Sequence, residues 1–256
     1  MARNEFPRST GDKKGEFDMK KVFALVLALC LVFSLCACGN SDIQKKSKGV
    51  MTHAEYVAAD LDTQVTVEAF VQAHQSWWDG KITVYAADAD GAYFLYEMAC
   101  TEEDAEKLVP GTKIKATGYK SEWSGEGEIV DATFEIEKGS YIAEAADLTA
   151  VFGTDALIDH QNEFFSVKGA VIEDAGNGSA FMYKWDNSGT DGDDLYFNVN
   201  IGGNSYTFTV ESYLCGAGTD VYEGIKALNI GDTVNLEGFL YWYEGANPHI
   251  TAVKAA

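Results

Sequence analysis

Residues 111–119, Gly-Thr-Lys-Ile-Lys-Ala-Thr-Gly-Tyr, align without gaps on residues 231–239, Gly-Asp-Thr-Val-Asn-Leu-Glu-Gly-Phe. The same register continues to Gly125 and Gly245. Upstream, Val65–Val71 is similar to Phe165–Val171. Self-similarity of this kind indicates a repeated structural unit. We therefore predict two copies of one unit, each about 100 residues long.

Each copy shows short stretches in which apolar and polar residues alternate, the pattern of half-buried strands. In the first copy the predicted strands are Val65–Ala73, Lys81–Ala87, Ala92–Met98, Thr112–Tyr119 and Glu126–Ile136. In the second copy they are Phe165–Ile172, Leu195–Ile201, Ser205–Val210, Thr233–Phe239 and His249–Val253. A short helix is predicted between the third and fourth strands, from Thr101 to Leu108 and from about Thr219.

Five strands with one helix between the third and fourth is the order of the OB-fold, a small Greek-key barrel. The sequence therefore predicts a mostly β protein with two tandem five-stranded OB-like barrels, in domains 51–140 and 141–256. A β-sandwich is the alternative fold. Segments 51–62 and 141–163 are predicted to be helical lead-ins that pack beside the barrels. Residues Glu173–Asp194 form an insertion in the second copy.

An export signal is predicted at residues 19–37, where Met-Lys-Lys precedes an apolar run from Val22 to Phe33. The run is shorter than the ~20 apolar residues of a membrane-spanning helix. We expect translation to start at Met19, so that residues 1–18 are a mis-assigned start. An ordinary secretory signal, cut near Ala37, is one interpretation of the end of this segment.

The ending Leu35-Cys36-Ala37-Cys38 resembles the lipobox of bacterial lipoproteins, and the repeats resemble the tandem OB-like modules of exported lipoproteins. The resemblance implies that Cys38 is acylated and becomes the mature N-terminus. It implies a protein anchored to the cell membrane on the extracytoplasmic face. Residues 38–50 would be a tether, and Lys45, Lys46 and Lys48 would either lie near anionic lipid or belong to a solvated linker.

The charge of the chain is strongly acidic. From residue 51 onward there are 35 acidic residues and 10 lysines, and no arginine follows Arg8. A nucleic-acid-binding protein needs clustered lysine and arginine, so we expect nucleic acid not to be a partner. Cys100 and Cys215 remain after the signal, and two separate buried thiols are favoured over a disulfide.

All five tryptophans fall in the loops that join strands 1–2 and 4–5, which rim the usual OB ligand face. The candidate ligand-binding residues are Trp77, Trp78, Trp123, Trp185, Trp242, Asp79 and Glu122, with Gln75, Glu126 and Asn247 as further polar candidates. Indole rings stack on sugar rings, although packing within hairpins also explains such residues. The prediction is a small-ligand or glycan-binding protein; the alternative is a protein–protein adaptor or structural component of the cell envelope.

Catalytic and metal-binding motifs are weak in this sequence. We find no nucleophile elbow, phosphate loop or His-Glu-x-x-His motif, so we expect neither an enzyme nor a cofactor. The loop Asp186–Asp194 concentrates oxygen ligands suited to Ca²⁺, but it lacks the glycine of an EF-hand loop. The weak calcium candidates are Asp186, Asp191, Asp193 and Asp194. A solvated acidic loop is favoured.

Overall fold

The first barrel closes from five strands in a computed structural model that describes residues 46–256. The strands are β1 (Gln64–His74), β2 (Lys81–Ala87), β3 (Ala92–Ala99), β4 (Thr112–Trp123) and β5 (Glu126–Ser140). Their order around the barrel is β1-β2-β3-β5-β4, with β1 paired to β4. Helix α1 (His53–Ala58) precedes the barrel, and helix α2 (Glu102–Ala105) joins β3 to β4. The predicted OB order is therefore confirmed.

The second barrel repeats this order. Its strands are β6 (Ala146–Asp147), β7 (Phe164–Glu173), β8 (Met182–Tyr183), β9 (Leu195–Ile201), β10 (Asn204–Val210), β11 (Thr233–Phe239) and β12 (His249–Ala255). Strands β7, β11, β12, β10 and β9 form a ring that the β7–β9 pairing closes. Helix α3 (Asp220–Lys226) joins β10 to β11. Both barrels are closed rings of strands, so the alternative prediction of a β-sandwich is wrong.

Two predicted segments differ from the structure. The lead-in before the second barrel is not an α-helix but strand β6 followed by a 3₁₀ helix, Asp155–His160. Its backbone groups pair with β7 instead, since β6 lies parallel to that strand. The insertion adds the short strand β8, which lies beside β9.

The repeated glycines lie where a β-bulge brings two backbones together. Gly118 lies at a bulge between β4 and β5, and Gly238 lies at one between β11 and β12. A Cβ atom on Gly238 would lie 2.2 Å from the carbonyl oxygen of His249, and one on Gly118 would lie 2.7 Å from that of Val130. Only glycine fits this close approach, which explains why both copies share it.

An aromatic cluster joins the two barrels within one compact unit. Tyr85 and Phe94 lie on the outer face of β2 and β3, and the Tyr85 ring stacks on Phe239 at 4.3 Å between centroids. The Tyr85 hydroxyl shares a buried hydrogen bond of 2.9 Å with His249 Nδ1. The second barrel therefore covers part of the β2–β3 face that OB barrels commonly use for ligands.

A hairpin tip makes a second joint between the barrels. The Glu126 carboxyl, fully buried at the start of β5, accepts from Asn162 Nδ2 at 2.6 Å and from the backbone N–H of Trp242 at 2.9 Å. The Gln161 side chain bonds the backbone of the same hairpin at Gly125 and Gly127. Both barrels are thus held by buried polar and aromatic contacts.

The N-terminal predictions fall largely outside the described residues. The start at Met19, the export signal, and the lipidation site Cys38 all lie there. Lys46, at the beginning of the described part, does not extend toward solvent: its amine pairs with the Asp88 carboxylate and donates to the Glu68 carbonyl oxygen at 2.8 Å. It is therefore a structural ion-pair partner, which differs from both expected roles, a place near anionic lipid and a solvated linker. No helix among residues 46–256 is long and apolar enough to cross a membrane.

Candidate ligand groove

A groove of about 430 Å³ lies where the uncovered end of the β2–β3 face meets the second barrel. One side is the loop from β1 to β2, the floor is the outer face of β2 and β3, and the far side is the turn after β10. Its lining includes Gln75, Trp78, Lys81, Tyr96, Glu97, Glu211 and Tyr213.

Trp78 is presented by a tight two-residue turn. Asp79 and Gly80 both have positive φ, at 47° and 81°, and Trp78 and Lys81 exchange backbone hydrogen bonds of 3.0 and 2.9 Å. This geometry is that of a type I′ hairpin, for which Asp-Gly is a preferred pair. Trp78 lines the groove and is 76% exposed. Asp79 therefore shapes the turn that holds the indole ring.

A β-bulge turns two consecutive side chains of β3 outward. Tyr96 and Glu97 together oppose Thr83 of β2, and the Glu97 N–H donates to Thr83 Oγ1 at 3.1 Å. Glu97 has a φ of 46°, in the left-handed region that side-chain-bearing residues seldom adopt. Bulges commonly re-aim side chains beside functional sites. Here the bulge places both residues in the groove, where Glu97 pairs with Lys81 at 2.6 Å.

The second barrel supplies the remaining wall. The backbone N–H of Ser76 donates to the Tyr213 carbonyl oxygen at 2.7 Å, which ties the two sides of the groove together. Tyr213 is 63% exposed, whereas Glu211 is 8% exposed. Glu211 Oε1 accepts from the Tyr213 N–H at 3.1 Å, and Oε2 has no hydrogen-bond partner. Burial raises the pKa of Glu211 to about 7.

Buried titratable groups also occupy the joint behind the groove. Burial raises the pKa of Glu126 to about 8, against the lowering effect of its hydrogen bonds from Asn162 and Trp242. Burial raises the pKa of Glu128, on the same strand. His249 is fully buried, and burial lowers its pKa to about 3. The imidazole is therefore neutral at ordinary pH.

The structure separates the five tryptophans. Trp78 lies in the groove, while Trp77 packs against the first core and its Nε1 donates to the Cys100 carbonyl oxygen at 2.9 Å. Trp242 packs against the second core and lines a different depression with Leu157. Trp123 and Trp185 are exposed outside the groove.

The polar candidates are divided in the same way. Gln75 lines the groove, and Asp79 lines an adjoining cavity of about 450 Å³ that shares Tyr96 and Glu97 with it. Glu122 is exposed on β4 outside the groove, and Glu126 is buried in the joint. Asn247 bonds the backbone of Thr207 in the second barrel.

Five of the named groove residues were not identified from sequence: Lys81, Tyr96, Glu97, Glu211 and Tyr213. Alternation along β3 predicts that one of the Tyr96 and Glu97 side chains points into the barrel. The bulge turns both of them outward instead. Glu211 directly follows the apolar end of β10, so its place in the sequence pattern could have identified it as a candidate. Tyr213 carries no sequence signal, since its place depends on how the second barrel docks.

The acidic loop residues proposed for calcium have separate partners. Asp186 accepts from Ser188, Asp191 pairs with Lys226 at 2.8 Å, and Asp194 accepts from Ser212. Asp193 accepts from the backbone N–H of Thr190. Within residues 46–256, no three His, Cys, Asp or Glu side chains converge as a metal site would require. Cys100 and Cys215 are both free, the first buried and the second partly buried.

Comparisons with known proteins yield fold-level likeness. No protein-family model matches the chain, and no curated protein sequence matches it. A HINa domain of Ifi202 in complex with 20 bp double-stranded DNA is 13% identical, with a TM-score of 0.33, over 76% of this chain and 96% of that one. A murine DNA-binding protein bound to double-stranded DNA is 10% identical, with a TM-score of 0.34, over 75% and 96%.

A replication protein A heterotrimer bound to single-stranded DNA is 11% identical, with a TM-score of 0.29, over 77% of this chain and 51% of that one. These structures contradict the expectation that nucleic acid is not a partner. That expectation rested on net charge, and the chain resembles domains that bind DNA, so the exclusion is withdrawn. Identities of 10–13% and TM-scores near 0.3 lift the exclusion without showing what this chain itself binds.

Proposed function

We propose that this chain is a non-catalytic binding protein whose groove holds a small polyhydroxylated ligand, such as a short saccharide. The observation that carries the proposal is the groove itself, where three exposed aromatic side chains, Trp78, Tyr96 and Tyr213, surround a buried carboxyl group. Small-ligand sites are concave, with apolar surface and a few convergent polar groups. This groove has that composition.

The chemistry of the lining residues suits hydroxyl groups held beside a flat ring. Trp78 and Tyr96 offer aromatic faces, which provide contact area at small cost in conformational entropy. Gln75 can both donate and accept, and the carboxylates of Glu97 and Glu211 accept from hydroxyl groups. Ser76 is the serine among the described residues that line the groove, and its hydroxyl donates to the Tyr213 carbonyl oxygen at 3.2 Å and not to a general base, so we propose binding and not catalysis.

The experiment compares two exposed tryptophans. Cellotriose and N-acetylglucosamine trimer are titrated into the protein, into Trp78→Ala and into Trp185→Ala, with binding followed by calorimetry. Trp185 is a matched control because it is similarly exposed outside the groove. We expect Trp78→Ala to weaken binding at least tenfold and Trp185→Ala to leave it unchanged. A DNA oligonucleotide that binds in the groove while both saccharides fail would overturn the proposal.

We also propose that the protein acts on the extracytoplasmic face of the membrane, attached through a lipid on Cys38. The support for this proposal comes from the lipobox-like sequence. Cys38 itself lies outside the described residues. In cells given radiolabelled palmitate, the wild-type chain should be labelled and sediment with membranes. Cys38→Ala should lose both properties. Equal labelling of the variant would contradict the anchor.

A further inference from the structure

Glu211 is a buried acceptor that lacks half of its partners. The side chain is 8% exposed and lines the groove, with Oε1 bonded to the Tyr213 N–H. Oε2 has no hydrogen bond and is shielded from solvent. A buried polar atom without a partner is costly, so such an atom requires a proton, a ligand or an ion.

Among residues 46–256, no lysine or histidine forms an ion pair with this carboxyl group. Lys81 is the single cation among the described residues that line the groove, and its amine is taken by Glu97 at 2.6 Å. The adjoining cavity adds Asp79 and Asp131. The groove therefore carries an excess of negative charge, in a chain whose net charge is −21.

The aromatic rings at the mouth of the groove suit the same kind of ligand. Trp78, Tyr96 and Tyr213 line the same groove as Glu211. The face of an aromatic ring attracts a cation, and rings combined with a carboxylate are a recurrent way to hold an ammonium group. A neutral saccharide would use the rings but leave Glu211 without an ionic partner.

This inference rests on one part of the proposed function, the groove as the ligand site: we infer that the ligand recognised there carries an ammonium group, which pairs with Glu211 among Trp78, Tyr96 and Tyr213. Two ligand classes share this chemistry, namely amino sugars with a free amine and choline-like headgroups. Pairing requires the carboxylate form, and burial raises the pKa of Glu211 to about 7. Below that pH the ligand therefore displaces a proton from Glu211 to the buffer.

The surroundings of Glu211 set this titration. The titratable groups around it are Asp194, Tyr196 and Cys215 from the second barrel and Lys81, Tyr85, Glu97 and Tyr96 from the first. Asp194 raises the pKa of Glu211, while Gln75 and the backbone of Tyr213 lower it. Burial is the largest cause of the raised pKa of Glu211. An ammonium group in contact with the carboxyl favours its charged form, so the ligand should ionise it.

The experiment uses two ligand pairs that differ in charge. Choline is compared with 3,3-dimethyl-1-butanol, its neutral carbon isostere, and free-amine glucosamine trimer with N-acetylglucosamine trimer. Calorimetry at pH 6.5 in two buffers of different ionisation enthalpy counts released protons. For choline we expect at least tenfold tighter binding than the isostere and release of about 0.8 proton per ligand. The glucosamine pair shows whether an amino sugar or a choline-like group is preferred.

Two variants test whether choline binding depends on the groove or on the overall acidity of the chain. Glu211→Gln should reduce choline binding to the level of the isostere, whereas Glu122→Gln, the same charge change outside the groove, should not. The comparison on wild-type protein decides the matter if Glu211→Gln fails to fold. Equal affinity within both pairs, without proton release, would overturn the inference. If neutral saccharides still bind in that case, the proposed function stands; if choline binds and no saccharide does, the saccharide proposal fails and the ammonium inference stands.

Discussion

At the scale of single residues, burial decides which ionisable groups matter. Glu126, Glu211 and His249 are all nearly inaccessible to solvent, and burial disfavours their charged forms. The joint between the barrels therefore holds a neutral imidazole and carboxyl groups that retain their protons to unusually high pH. Protonation of these groups is linked to the stability of the fold.

Glu126 should make the protein less stable as the pH rises. Its folded pKa of about 8 lies above the ordinary value of 4.5, so the unfolded state ionises first and stability is lost between these values. From pH 6.5 to 8.5 this single group should cost about 2 kcal/mol. In urea unfolding measurements Glu126→Gln should remove the larger part of the slope, and Glu211, with a raised pKa of about 7, should account for a smaller remainder.

Two controls make this test specific. Glu122→Gln carries the same change of charge at an exposed position and should keep the slope. His249 does not contribute in this range: its lowered pKa of about 3 places its effect below pH 6.5, where stability falls with acid. A steep slope retained in Glu126→Gln would contradict the assignment.

Individual site residues were only partly predictable from the sequence. The five tryptophans could be found by their loop positions, and Trp78 does lie in the groove. Trp77 and Trp242 pack against cores, because successive loop residues point in different directions and sequence does not say which. Tyr213 could not be found, since the docking of one barrel on the other brings it to the site.

At the scale of elements, the strands follow from alternation and from the repeat. Strands β2, β9 and β11 have the predicted bounds, and Gly and Asp turn residues precede each of them. The segment before the second barrel was predicted as a helix, yet part of it pairs with β7 as strand β6. Apolar spacing over so few residues does not separate the two structures.

The bulge glycine of β11 should be intolerant of a side chain. Gly238→Ala would force a Cβ to within 2.2 Å of the His249 carbonyl oxygen, so the β11–β12 pairing must shift. We expect a loss of about 3 kcal/mol or more in the free energy of unfolding. Gly218→Ala is the control: it has a φ of 86° but open space, and should cost about 1 kcal/mol. Equal losses for both variants would contradict the close-approach explanation.

At the scale of the whole molecule, the joint should make the two barrels unfold as one cooperative unit. The Tyr85–Phe239 stack, the Tyr85–His249 hydrogen bond and the Glu126 contacts are all buried between them. We expect one calorimetric transition for the chain, with equal van 't Hoff and calorimetric enthalpies. Tyr85→Ala should split or broaden it. Two separate transitions in the unmodified protein would show that the barrels unfold independently.

The sequence could predict two barrels but not their joint. Each repeat carries its own strand pattern, so fold class and order were accessible. The outward-facing Tyr85 and Phe94 read as ordinary strand residues until Phe239 and His249 are placed against them. The groove exists only because this docking leaves one end of the β2–β3 face uncovered.

The most direct test of the groove as the ligand site is a titration followed by NMR of the five ¹⁵N-labelled indole groups. With N-acetylglucosamine trimer and free-amine glucosamine trimer as probes, the Trp78 indole signal should shift most. Trp123, Trp185 and Trp242 lie outside the groove and their signals should stay in place. Shifts at Trp123, Trp185 or Trp242 with an unmoved Trp78 signal would contradict the account.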